Sequence, residues 1–135
     1  SRGDDSGTHT REREIWEAAG IRPWEDRPDW YVEAGTGMGE TLQMASQLGA
    51  YTLTDSGTFL HLRSTLSLER LMASGGGLGN RYTWILPRGG RNPDGARDFR
   101  AWLLGAGQEL IATYGTERFG EPLFVPAAAD SSGAR

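Results

Sequence analysis

An α/β fold with a largely parallel sheet is the architecture this sequence predicts. Three observations carry the expectation. Short β-prone runs such as "RYTWILP" alternate with longer helical patterns, and glycine-rich turns open helices in "DDSGT" and again in "AGTGMG". The 135 residues suffice for one ordinary hydrophobic core and are too few for two.

The elements follow in order. Asp5 or Ser6 can cap a helix of about three turns whose charged run Arg11–Glu14 faces water and whose stop is Gly20. "IRPWEDRPDW" holds two prolines and two tryptophans and reads as an irregular loop with aromatic anchors, leading to a short strand at Trp30–Glu33. Gly35, Gly37 and Gly39 then precede a helix with Leu42, Ala45 and Leu48 on one face. "AYTLTD" reads as a strand, Gly57–Arg63 as a short helix and "LERLMA" as a further strand. "SGGGLGN", Ser74–Asn80, is too rich in glycine for a regular element and reads as a crossing or hinge. "RYTWILP" is again strand-like, and Asn92-Pro93 starts one or two helices closed by Gly115. The tail after Pro126 is small, polar and expected to fray.

Composition excludes several activities. The net charge is −4 and no basic run exists, whereas binding to a phosphate backbone needs clustered cations, so no nucleic-acid partner is expected. All 14 basic residues are arginine, which removes Schiff-base chemistry and phosphate loops that need a lysine. Absence of cysteine removes disulfides, thiol nucleophiles and sulfur-ligated metals. No apolar stretch is long enough for a membrane span, and no signal or transit segment is visible. The first residue already stands inside a motif, so a piece of a longer protein is expected.

The chemistry lies at the helix starts. A helix entry built from small residues leaves backbone N–H groups pointing outward at the positive end of the macrodipole, where anions are held. In "SRGDDSGT", Gly7 admits close approach to the backbone, Ser6 and Thr8 add hydroxyls, and Arg2 adds a permanent, forked cation. The same four letters Asp-Ser-Gly-Thr are also an everyday cap, as their second copy Asp55–Thr58 illustrates. Two such starts converge on one ligand only when they leave the same edge of a sheet. "AGTGMG" lacks the spacing of a dinucleotide fingerprint, so no nucleotide cofactor is expected. His9 and His61 stand outside any metal-ligand spacing and read as surface or structural residues; no metal cation is expected. Asp4, Asp5 and Asp55 have no partner for acid–base work, and Trp16, Trp24, Trp30, Trp84 and Trp102 read as core or loop anchors.

Four blocks carry a resemblance over nearly the whole chain: "SRGDDSGTHTREREIWEAAGI", "WYVEAGTGMGETLQMA", "AYTLTDSGTFLHL" and "GQELIATYGTERFGEPLF". In the same order they resemble the tungstate-binding components of ABC importers. The first block is also similar to the R-x-D-x-S-G-T element of phosphate-binding periplasmic proteins. The resemblance implies one lobe of a bilobed binding protein of type II topology. It implies a second-lobe part over residues 1–74, a crossing at 75–80, a return segment at 81–125 that packs on the first lobe, and a tail at 126–135. It also implies an extracytoplasmic location, periplasmic or cell-surface lipoprotein, and delivery of tungstate or molybdate to a membrane permease, with no cofactor.

Carried over residue by residue, the resemblance places Arg2, Ser6, Gly7 and Thr8 at the oxyanion, with Gly37 and Met38 approaching from the second helix start. Ser1, Asp4, Asp5 and Thr36 are then supporting residues. The family's T-D-R-G-T is T-D-S-G-T here, so Ser56 stands in place of an arginine and no role of that charge carries over. Tungstate and molybdate carry no proton at neutral pH and would be repelled by a facing carboxylate. Asp4 and Asp5 are therefore expected to turn away from the anion and hold Arg2 and the helix start. Two alternatives accompany this reading. One is a small phosphate-handling enzyme. The other is a folding or interaction unit with half a site, in which two copies exchange the segment from Arg81 that carries Trp84, Ile85 and Leu86.

Overall fold

The computed structural model describes residues 1–75 and 77–126. Two compact units divide at Asn80–Arg81.

In the first unit, helix α1 spans Gly7–Ala18 and is capped by Ser6, whose Oγ accepts the His9 N–H at 3.3 Å. A four-residue helix α2, Pro23–Asp26, interrupts the stretch expected to be an irregular loop. Proline at its first position is the cause, since a φ near −65° and a missing N–H both suit a helix start. Helix α3 spans Met38–Leu48 and stops at Gly49, which adopts φ 60°. Helix α4 spans Ser56–Leu62 and runs into a single 3₁₀ turn, Arg63–Thr65.

The core of this unit sits between α3 and α4. Met38, Thr41, Leu42 and Ala45 are buried at the i, i+3, i+4, i+7 spacing of one helical face, and Phe59 and Leu60 are buried on α4. Gly39 faces Leu62 of α4, where a Cβ would make only an ordinary contact with Cδ1 at 3.6 Å. Ser46 Oγ accepts the Ser67 N–H at 2.8 Å and ties the chain after α4 back to α3. Thr41 is buried without penalty because its hydroxyl donates to the Gly37 carbonyl at 2.9 Å.

The second unit begins at Arg81 and contains α5, Pro93–Leu104, α6, Gly107–Thr113, and α7, Thr116–Phe119. Asn92 caps α5 by accepting the Gly95 N–H at 3.0 Å. The expected helical stretch thus breaks at Gly105 and again after Thr113. Gly107 permits the tight α5–α6 junction, since a Cβ there would meet the Trp102 carbonyl oxygen at 2.9 Å. Phe99 and Trp102 stack at 5.9 Å, while Tyr114 and Tyr82 both contact the Phe124 ring.

Among the described residues no β-strand is assigned at Trp30–Glu33, "AYTLTD", "LERLMA" or "RYTWILP". β-propensity makes a strand only where a neighbour's N–H and C=O groups face the chain, and one such pairing is present, described below. Of the two roles expected for the tryptophans, core or loop anchor, the core one is not filled: Trp16, Trp24 and Trp84 are half-buried, and Trp30 and Trp102 are exposed. Trp16 is held by its Nε1–H donating to Glu12, and Trp24 by the Arg13 guanidinium 4.3 Å above its ring. The expected frayed tail after Pro126 lies outside the described residues.

Candidate functional site

Main-chain bonds bring the two glycine-rich helix starts side by side. The Ser1 backbone nitrogen donates to the Val32 carbonyl at 2.9 Å, Ala34 N–H donates to the Ser1 carbonyl at 2.9 Å, and Gly35 N–H donates to the Arg2 carbonyl at 2.8 Å. One residue bonding to two residues flanking its opposite number is the offset of a parallel pair. The segment leading to α1 therefore runs alongside the segment leading to α3. Gly3 turns the chain out of this pairing with φ 61°, and a Cβ there would stand 2.9 Å from Glu33 Cβ. Only glycine meets both demands, a requirement that the letters R-G-D do not reveal by themselves.

The expected site residues then fall into three groups. Arg2 is largely buried, and its guanidinium pairs with the Asp4 carboxylate. Its Nε is buried with no hydrogen-bond partner among the described residues, and the same holds for Ser1 Oγ. Asp4 also accepts the Ser6 N–H on its other oxygen at 3.2 Å. Hydrogen bonding from Ser6, and then the Arg2 charge, hold the Asp4 carboxyl below the usual carboxylate range.

Asp5 behaves differently from its neighbour. Its side chain is 99% exposed, and its contribution is made by the backbone, which adopts φ 56° and donates its N–H to His9 Nδ1 at 3.0 Å. His9 is 6% exposed and acts as the inner peg of this turn, a structural histidine. Because Nδ1 accepts an amide proton, the neutral ring carries its own proton on Nε2.

At the start of α1, Ser6 Oγ takes the His9 N–H and Ser6 C=O takes the Thr10 N–H, leaving the Gly7 and Thr8 amides with no intrahelical acceptor. At the start of α3 there is no side-chain cap on Gly37, and the amides of Met38 and Gly39 are in the same condition. The Met38 side chain is buried, which leaves its backbone as the part that a ligand could reach. Thr36 is half-buried beside this turn. At the third start Asp55 Oδ1 accepts the Thr58 N–H at 2.8 Å and Oδ2 accepts the Thr58 hydroxyl at 2.7 Å. The Ser56 and Gly57 amides also lack an intrahelical acceptor, but the cap that faces them is already a carboxylate.

Sequence reasoning passed over Gly3, Thr41 and Glu40. The signal for Glu40 was its place three residues after Gly37, the position from which a carboxylate folds back on a helix start. Among the described residues no group of three or more His, Asp or Glu side chains is arranged to hold a metal ion.

Residues 1–106 match a family model described as a PBP superfamily domain. The chain is 42% identical over 134 residues to the tungstate-binding protein TupA of Peptoclostridium acidaminophilum, an alignment covering 96% of this chain and 46% of that protein. It is 43% identical over 139 residues to a protein of Haloferax volcanii described as an ABC transporter anion-binding protein, covering 95% and 39% respectively. A tungstate-binding protein TupA of Campylobacter jejuni is 37% identical over 60 residues, 44% of this chain and 22% of that protein. No solved structure matches. The chain spans about half the length of the first of these curated relatives and less of the others. A match over residues 1–106, joined to identities above 40% across nearly the whole chain, means that this protein belongs to the PBP superfamily.

Proposed function

We propose that this chain binds a tetrahedral oxyanion, tungstate or molybdate, as part of the extracytoplasmic solute-binding component of an ABC importer, and that a membrane permease receives the anion from it. Support comes from the superfamily and from what the relatives are named as binding. The observation that carries the reading within this chain is the donor set at the first helix start. Arg2 pairs with Asp4, which also accepts the Ser6 amide at the α1 start, and the Arg2 Nε is buried and lacks an acceptor among the described residues.

A dianion would take the N–H groups of Gly7 and Thr8, the Ser6 and Thr8 hydroxyls and the Arg2 guanidinium, with backbone at Gly37 and Met38 from the adjacent start. Ser6 Oγ accepts from His9, and its hydroxyl, which is drawn to Asp4 in the free chain, would turn its proton to the ligand. Asp4 supports the site by engaging one oxygen with Arg2 and the other with Ser6, so that its charge is compensated by those partners rather than set against a ligand that has no proton to offer. Asp5 supports it through its left-handed turn, Ser1 through its bond to Val32, and Thr36 by its place before Gly37. In the complete protein the Ser1–Arg2 and Val32–Gly35 pairing belongs, on this reading, to the largely parallel sheet of a lobe.

Titration calorimetry on the complete protein tests the proposal. Tungstate is expected to bind far more tightly than sulfate or phosphate. Arg2→Ala removes charged hydrogen bonds worth about 1.5–3 kcal/mol each, so a loss of about a hundredfold in affinity is expected. Absence of heat with every oxyanion, or full retention of affinity by Arg2→Ala, overturns the reading.

A further inference from the structure

Glu40 is an unexplained anion at the second helix start. It is the third residue of α3, and its Oε2 lies 2.7 Å from the position a Cβ on Gly37 would occupy, so its side chain folds back over the first turn. A side chain at position 37 would meet that carboxylate tip, which is exposed and can move aside. The first helix start handles its carboxylate otherwise: Asp4 is neutralised by Arg2 and accepts from Ser6.

A lone carboxylate at a helix N-terminus is held by the same partial positive charge and amide protons that an external oxyanion would use. Two anions without a shared proton repel when they meet at one donor set. We propose that Glu40 is a built-in competitor for the bound oxyanion: its carboxylate rests on the α3 start until a dianion displaces it, and its charge thereby sets affinity and charge selectivity. This inference rests on the oxyanion reading above. An oxyanion that carries a proton can donate it to Glu40 and is penalised less, so Glu40 acts hardest against the unprotonated dianions.

The test is calorimetric titration of the complete protein with sodium tungstate and, separately, sodium phosphate, for the parent, Glu40→Gln and Glu40→Ala. Gln keeps the shape and the capping capacity of Glu at this helix position and removes only the charge. Glu40→Gln is expected to bind tungstate at least about tenfold more tightly than the parent, because like charges at an interface are strongly unfavourable. The gain should shrink as salt is raised and should be smaller for phosphate. Glu40→Ala should share the gain even where its unfolding midpoint falls. Equal or weaker tungstate binding by Glu40→Gln, or a gain indifferent to salt, overturns the inference while leaving the oxyanion reading intact. A parent that binds no oxyanion sinks both.

Discussion

At the scale of single residues, Asp4 is the joint of the first helix start. One oxygen holds the guanidinium of Arg2 and the other accepts the Ser6 amide. Its carboxyl is held below the ordinary range by Ser6 and then by Arg2, so the folded state favours the ionised form. A depressed folded value contributes stability that is fully present above the unfolded value and is lost as pH falls through the folded one. Asp4→Asn is therefore expected to lower the urea midpoint at neutral pH and to match the parent in strong acid, where both side chains are neutral. Equal midpoints at neutral pH would show that the pairing contributes no stability. The tyrosine nearest the Ser1–Val32 pairing shows the opposite direction: burial, above all, raises the Tyr31 phenol and keeps it neutral.

At the scale of elements, one four-letter string makes two different caps. In the first copy Ser6 caps α1 and Asp5 stands outside the helix in a left-handed turn. In the second, Asp55 caps α4 and Ser56 is already its first helical residue. The frame shifts by one residue because His9 captures the Asp5 amide in the first copy, whereas the second has Leu60 followed by an exposed His61, with Phe59 in the place of His9. Caps are worth about 1 kcal/mol each, which makes the shift measurable. Ser6→Ala and Asp55→Ala should each destabilise the complete protein by about that amount in urea unfolding. Asp5→Asn and Ser56→Ala should stay within about 0.5 kcal/mol of the parent. The reverse ranking would contradict the two frames.

At the scale of the whole molecule, the two units differ in what they bury. Met38, Leu42, Ala45, Phe59 and Leu60 all belong to the unit before Arg81. Beyond it, Gly107 alone among the described residues is buried, and Tyr82, Ile85, Phe99, Leu104 and Val125 are exposed. Apolar burial is the principal source of folding free energy, so a segment without it has little to offset its conformational entropy. A peptide of residues 81–126 is accordingly expected to show no cooperative thermal transition by circular dichroism, although α5 has an Asn92 cap and a proline at its start. A sharp melting curve for that peptide would contradict this account.

Much of this protein was determined by its sequence alone. Ser6, Asn92 and the helix-stopping glycines act through bonds to residues three or four positions away, and Pro93 through its fixed φ, so the beginnings of α1, α3, α4 and α5 are legible in the letters. The ordered blocks that resemble tungstate-binding components were legible too, and the superfamily match rests on the same chain. Tertiary structure decided what depends on distant partners. Gly3 is required by Glu33, thirty positions along, and the neighbourhood of the two helix starts rests on Ser1 and Arg2 bonding Val32, Ala34 and Gly35. The burial of His9, the choice between Asp5 and Ser6 as cap, and the fold of Glu40 over Gly37 were likewise fixed by packing and charge. The physical reason is range: a cap is a local bond that short spacing encodes, whereas burial and paired backbone exist only once segments remote in sequence have met.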